Sequence, residues 1–134
     1  MDWNVYLSGE IHTDWREQII KGAGELPITF SSAVTNHEAS DAAGDFLGPA
    51  SDGFWRDHKS SKVNSIRTRT MIDKSDLAVI RFGEKYKQWN AAFDAGICAA
   101  LGKAWNSVSP RMRPLADAGY IVDMGARWPF VESN

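Results

Sequence analysis

Near the start of the chain, Glu10 and His12 stand two residues apart and place a carboxylate and an imidazole within reach of one site. In a continuing strand they share a face; in a loop they can converge on one ligand. Such a pair can orient a hydroxyl group or move a proton, because imidazole titrates near neutral pH and a carboxylate can hold or assist it. The plainer alternative is that His12 enters a helix and Glu10 is solvated. A second set follows the apolar run at residues 77–82. Tyr86, Gln88, Trp89, Asn90 and Asp94 occupy a polar turn and the opening of a helix. In a parallel sheet, ligands sit beyond the carboxyl ends of strands, beside the N-termini of the following helices. These five residues therefore form the candidate wall of an active site.

Several chemistries find no support. His37 and His58 complete a set of three widely spaced histidines, with one cysteine and no His-Glu-x-x-His segment, so neither a metal site nor another cofactor is expected. Asp41, Asp45, Asp52 and Asp57 lack the spacing of a calcium loop. No Gly-x-Gly-x-x-Gly, Walker or Gly-x-Ser-x-Gly segment occurs. Residues 56–74 are basic, with Arg56, Lys59, Lys62, Arg67, Arg69 and Lys74 against Asp57 and Asp73, a formal charge of +4. Part of this is a solvated face; Arg56, Lys62 or Arg67 could hold a phosphate or carboxylate. Tyr86, Trp89 and the pair Phe54-Trp55 offer surfaces on which planar bases stack, although Trp89 also has the spacing of a core residue.

The elements that must position these groups read as α/β. Apolar strands are expected at residues 5–8, 28–31, 77–82, 103–108 and 120–124, alternating with helical patterns. The first helix begins at Thr13 or Asp14, where Asp14-Trp15-Arg16-Glu17 fits a capping box, and Trp15, Ile19 and Ala23 share its apolar face. Residues 33–53 are rich in turn formers, with a short helix at 40–47, and are either a functional lid or a surface excursion. A helix follows over about 59–74 with Val63, Ile66, Thr70 and Met71 inward. The helix after the central strand carries Trp89, Ala92, Phe93, Gly96, Ile97 and Ala100 at intervals of three and four, which predicts its buried face.

Bulk properties fit one soluble domain spanning 1–134. Hydrophobic residues make up 43% and charged residues 24%, and the net charge of -2 gives no general reason to expect nucleic acid or membrane as partner. Met1-Asp2-Trp3-Asn4 lacks a signal peptide's features, no apolar run approaches a membrane span, and the lone Cys98 fits a reduced thiol, so a cytoplasmic protein is expected. The apolar segment Trp128-Pro129-Phe130-Val131 follows a last strand that no legible helix covers. It packs against a partner chain, giving a homo-oligomer of at least two copies, or belongs to an altered tail.

Four strings carry a family resemblance: Val5-Tyr6-Leu7-Ser8-Gly9-Glu10-Ile11-His12-Thr13-Asp14-Trp15-Arg16; Val34-Thr35-Asn36-His37; Ser61-Lys62-Val63-Asn64-Ser65-Ile66-Arg67-Thr68-Arg69; and Phe82-Gly83-Glu84-Lys85-Tyr86-Lys87-Gln88-Trp89-Asn90. Through them the chain resembles the YtoQ family, a branch similar to the nucleoside 2-deoxyribosyltransferase superfamily. The resemblance implies a flavodoxin-like, doubly wound, mainly parallel open sheet with helices on both faces. It also implies oligomers that exchange or hydrolyse the N-glycosidic bond of a deoxynucleoside or nucleotide without a cofactor. The superfamily's Tyr-x-x-Gly strand end is matched by Tyr6-Leu7-Ser8-Gly9. Its nucleophilic Glu-x-Gly segment is matched in place by Asp94-Ala95-Gly96, and a substrate-binding aspartate by Thr68. The tail from Ala104 departs from the strand and closing helix with which the family continues.

Asp94 is thus the expected nucleophile, with Glu10 or Glu84 assisting as acid–base. Tyr6, Gly9, His12, Asn36, His37, Arg56, Lys62, Asn64, Arg67, Thr68, Tyr86, Trp89 and Asn90 are the expected substrate contacts. Two other function classes fit the same residues. One is a nucleotide- or sugar-phosphate-binding module without catalysis, in keeping with Asp94 and Thr68 at their positions. The other is an RNA-associated protein using the basic 56–74 face.

Overall fold

The computed structural model describes residues 2–83, 85 and 88–108. Along the chain run β1 (Trp3–Gly9), α1 (Trp15–Ala23), β2 (Ile28–Ser32), α2 (His37–Asp41), a 3-10 turn (Asp45–Leu47), α3 (Gly53–Lys74), β3 (Leu77–Arg81), α4 (Trp89–Ala100) and β4 (Ala104–Val108). The four strands form one sheet in the order β2-β1-β3-β4, every neighbouring pair parallel. From β1 the chain steps outward to β2, then returns past β1 to β3 and on to β4. The strand order therefore reverses between β1 and β3, and a crevice opens at the carboxyl ends of those two strands. The expected strand at 120–124 and the residues Glu84 and Tyr86 lie outside the described residues.

Successive side chains of a strand point to opposite faces, and β1 separates two cores by that rule. Val5 and Leu7 pack with Trp15 and Ile19 of α1 and with Ile28, Phe30, Leu77 and Val79. Tyr6 faces the other way, into a cluster with Ala78 and Ile80 of β3, Ile72 of α3 and Ala91, Ala95 and Cys98 of α4. Helices thus cover both faces, the doubly wound α/β arrangement. Complete burial of a side chain such as Leu7 or Ile80 contributes about 1.5–3 kcal/mol, so the central strands are where the fold is secured. No helix among the described residues is long and apolar enough to cross a membrane.

The four described strands form within two residues of where the sequence puts them, but several helical expectations are corrected. Helix α3 begins at Gly53 rather than near 59, because the Asp52 side chain accepts the Trp55 N–H at 3.0 Å and caps it. Its inward stripe is Ser60, Asn64, Thr68, Met71 and Ile72, while Ile66 and Thr70 face outward. In α4, Ala91, Asp94, Ala95 and Cys98 are buried, whereas Trp89 (73% exposed) and Phe93 (64%) point to solvent. Small side chains let α4 lie close on the sheet, and the large aromatics stand off that contact face. The short helix expected at 40–47 is instead α2 followed by the 3-10 turn. Asp14 makes no capping bond; its carboxylate accepts from the Gln18 amide at 2.8 Å.

Candidate active site at the carboxyl ends of the central strands

The β1–α1 loop is organised by Glu10. Its carboxylate accepts the backbone N–H of His12 at 2.8 Å and of Thr13 at 3.2 Å, accepts the Thr13 hydroxyl, and lies 3.5 Å from Arg81 Nε. Its carbonyl accepts the Trp15 indole N–H at 2.8 Å and an Arg16 N–H at 2.6 Å; Arg16 also reaches the Gly9 carbonyl and the Ser32 hydroxyl. Burial alone would raise the Glu10 pKa. The donors from Thr13 and His12, together with the Arg81 charge, outweigh it and hold the carboxyl below its ordinary value. Glu10 is thereby an ionised clamp on its own loop.

Deeper in the crevice lies Asp94, on the inner face of α4 and 5% exposed. Its Oδ2 accepts two hydroxyls, from Ser8 at 2.5 Å and from Tyr6 at 3.1 Å. Residues i and i+2 of a strand share a face, so β1 delivers both donors to the same oxygen. Thr68 of α3 lines the cleft together with Asp94. Burial pushes the Asp94 carboxyl above its ordinary value, with the Ser8 and Tyr6 bonds pulling the other way. Burial, and then the Asp94 charge, pushes the Tyr6 phenol up.

Above Asp94 opens a cleft of about 560 Å³ between α3, α4 and the segment that follows β2. Ala33 and Val34, Ser40 and Asp41 form one wall; Asn64, Arg67 and Thr68 another; Asn90, Phe93 and Asp94 a third. Asn64 donates through Nδ2 to the Ser40 carbonyl and hydroxyl, both at 3.0 Å. A carbonyl can only accept, so the amide orientation is fixed and Asn64 Oδ1 is left as a buried acceptor with no partner. Ser60 ties α3 to the excursion after α2, donating to the Asp41 carbonyl at 2.6 Å and accepting the Gly44 N–H at 3.0 Å. A smaller hollow of about 240 Å³ lies beside it, lined by Gly9, Glu10, Ile11 and His12 and by residues 88–91; Asn90 borders both.

Of the residues expected from sequence, Tyr6, Asn64, Arg67, Thr68, Asn90 and Asp94 gather on or beneath the main cleft, and Gly9, Glu10, His12 and Trp89 border the smaller hollow. Arg56 does not join them; it holds Asp45 by two bonds of 2.9 and 2.7 Å beside a separate depression. Asn36 caps α2 by accepting the Ala39 N–H at 3.0 Å, His37 opens that helix in solvent, and Lys62 is exposed on α3. None of these four lines the main cleft. Ser8, Asp41 and Asp57 are cleft or near-cleft groups that sequence reasoning missed. The available signal for Ser8 was its place two residues beyond Tyr6. Among the described residues no three His, Cys, Asp or Glu side chains are grouped to hold a metal ion.

Comparison with known proteins adds two findings. Residues 6–113 match the family described as nucleoside 2-deoxyribosyltransferase YtoQ. The chain is also similar to the "Uncharacterized protein YtoQ" of Bacillus subtilis (strain 168), 42% identical over 113 residues that cover 82% of this chain and 76% of the relative.

Proposed function

Because the chain belongs to the nucleoside 2-deoxyribosyltransferase YtoQ family, we propose that the main cleft binds a deoxynucleoside or nucleotide and that Asp94 breaks its N-glycosidic bond. Family placement supports a deoxyribosyltransferase-like role in general. The observation that carries the finer reading is the Asp94 carboxylate, which lines the cleft with one oxygen held by Ser8 and Tyr6. The other oxygen, Oδ1, attacks the anomeric carbon of the sugar. The carbon–nitrogen bond breaks, and the base leaves with the electron pair and takes a proton. A glycosyl ester of Asp94 results. Water or a second base then takes the sugar from the ester and restores the carboxylate.

Glu84 is our acid–base group, since Glu10 is ionised and fully engaged in its loop. Asn90 and Arg67 orient the sugar, and the unpaired Asn64 oxygen takes an N–H or O–H donor from the ligand. Val34, Trp89 and Phe93 are exposed, and Val34 and Phe93 line the main cleft. We take this apolar surface to be covered in a homo-oligomer.

Incubation with a panel of deoxynucleosides and their 5′-phosphates, followed by chromatography for free or exchanged base, tests the reading. Asp94→Asn should abolish turnover and leave ligand affinity within a few-fold, because the amide keeps the size and loses the attacking charge. Undiminished turnover in that variant removes Asp94 from the chemistry. The raised pKa of Asp94 favours a second reading, a binding module without catalysis; ligand binding by a wild type that releases no base would establish it. The RNA-associated reading draws less support, since Arg56 is committed to Asp45.

A further inference from the structure

We infer that Ser8 is a positioning residue for Asp94, fixing one carboxylate oxygen so that the other is presented to the cleft. The inference rests on the reading of Asp94 as the attacking group. An aspartate carboxylate turns about a terminal bond with a broad, roughly two-fold preference, so the side chain alone does not decide which oxygen faces a ligand. Its donors decide. Two hydroxyls donate to Asp94, and both reach Oδ2: Ser8 from 2.5 Å and Tyr6 from 3.1 Å. The Ser8 hydroxyl is the nearer of the two.

Ser8 is 2% exposed in a central strand, a place where an unbonded hydroxyl is costly. Its side-chain hydrogen bond goes to Asp94. Ser8 thus has a partner that explains its burial, and that partner is the group on which the chemistry depends. Donation to a carboxylate also favours the ionised form, the form that can attack. Loss of the Ser8 hydroxyl therefore frees the carboxylate to turn and makes it harder to ionise. Among the described residues, Tyr6 from β1 and Cys98 from α4 are the other titratable groups coupled to Asp94, while Asp57 and Arg67 from α3 and Asp41 from α2 line the same cleft. All of them remain in a Ser8 variant.

The test is a carboxyl-carbon NMR titration of the full chain labelled at aspartate, with the Asp94 signal assigned by its loss in Asp94→Asn. In Ser8→Ala the Asp94 midpoint should rise by about one unit, and Ser8→Thr, which keeps the hydroxyl, should return it toward wild type. In turnover assays Ser8→Ala should lower kcat by about 10²-fold with little change in KM, and its acid limb should move to higher pH. An Asp94 midpoint unmoved in Ser8→Ala overturns the inference, and so does a shift that Ser8→Thr fails to reverse. If Ser8→Ala does not fold, Ser8→Cys keeps the volume with a weaker donor and should give a smaller rise. Absence of turnover in the wild type sinks the catalytic reading alone, because the titration still reports whether Ser8 holds the carboxylate.

Discussion

Gly9 and Arg81 meet across the centre of the sheet so closely that a Cβ on Gly9 would lie 2.0 Å from the Arg81 carbonyl oxygen. Gly9 also sits at φ +131°, where side chains are strained whatever the space. The contact is backbone on backbone, so no side chain can yield. It is also what sets the Glu10 N–H 3.2 Å from that same carbonyl. Gly9→Ala should cost about 2–4 kcal/mol in urea denaturation, a strain and overpacking effect together. A loss under about 0.5 kcal/mol, the size of an ordinary surface change, would contradict it.

Glu10→Gln separates the clamp from proton transfer. The Glu10 carboxyl is held below its ordinary value of 4.5, so its stabilisation is full above that value and is lost as pH falls through the lower folded-state value. At neutral pH the variant should lose about 1–3 kcal/mol, because an amide nitrogen would face donors from His12 or Thr13. The gap to wild type should narrow on acidification below 4.5, as thermal melts across a pH series would show.

Asp94 gives the opposite sign. Its folded-state pKa is raised by burial, so the protonated form is the one the fold favours. That stabilisation is complete below the ordinary aspartate value of 3.8 and is lost as pH rises through the folded value. Asp94→Asn should therefore melt higher than wild type at neutral pH, with the difference closing in acid. A variant that gains stability while losing turnover is the mark of a carboxylate kept for chemistry. Equal melting temperatures at neutral pH would count against the burial cost.

Asn64 should matter to ligand more than to fold. Replacing it by leucine removes two bonds to Ser40 and also the orphaned acceptor, effects that offset one another in the free protein. Ligand affinity by calorimetry should fall about tenfold, or 1.4 kcal/mol. Unchanged affinity would take Asn64 out of recognition.

The strands were legible because β1 and β3 are apolar runs bounded by turn formers, and the parallel order followed from their alternation with helices. The inward faces of α3 and α4 were not. Hydrophobic periodicity selects Ile66, Trp89 and Phe93, all exposed, because the inward faces of α3 and α4 carry Ser60, Asn64, Thr68 and Asp94. A polar cleft carries hydrogen-bonding groups where a core would carry apolar ones, so the pattern failed beside the cleft. The place of Asp94 on the helix after β3, beside the crevice, was legible in the sequence, and its proposed role comes from the resemblance. The hydroxyls that hold it were not, since nothing in the sequence says that Ser8 and Asp94, 86 positions apart, touch.

The single cysteine makes the molecule its own clock. Cys98 is wholly buried between α4 and the sheet, and burial, then the Asp94 charge, pushes its thiol up to about 11. Only a thiolate reached by solvent reacts with a disulfide reagent, so folded molecules should be silent and each labelling event should record one opening of the α4 layer. At reagent concentrations where labelling outpaces closing, the rate becomes independent of reagent and equals the opening rate; at low concentrations it reports the equilibrium population of open molecules. A saturating deoxynucleoside that bridges α3 and α4 should slow the labelling at low reagent, which would reveal a ligand in molecules that turn over nothing.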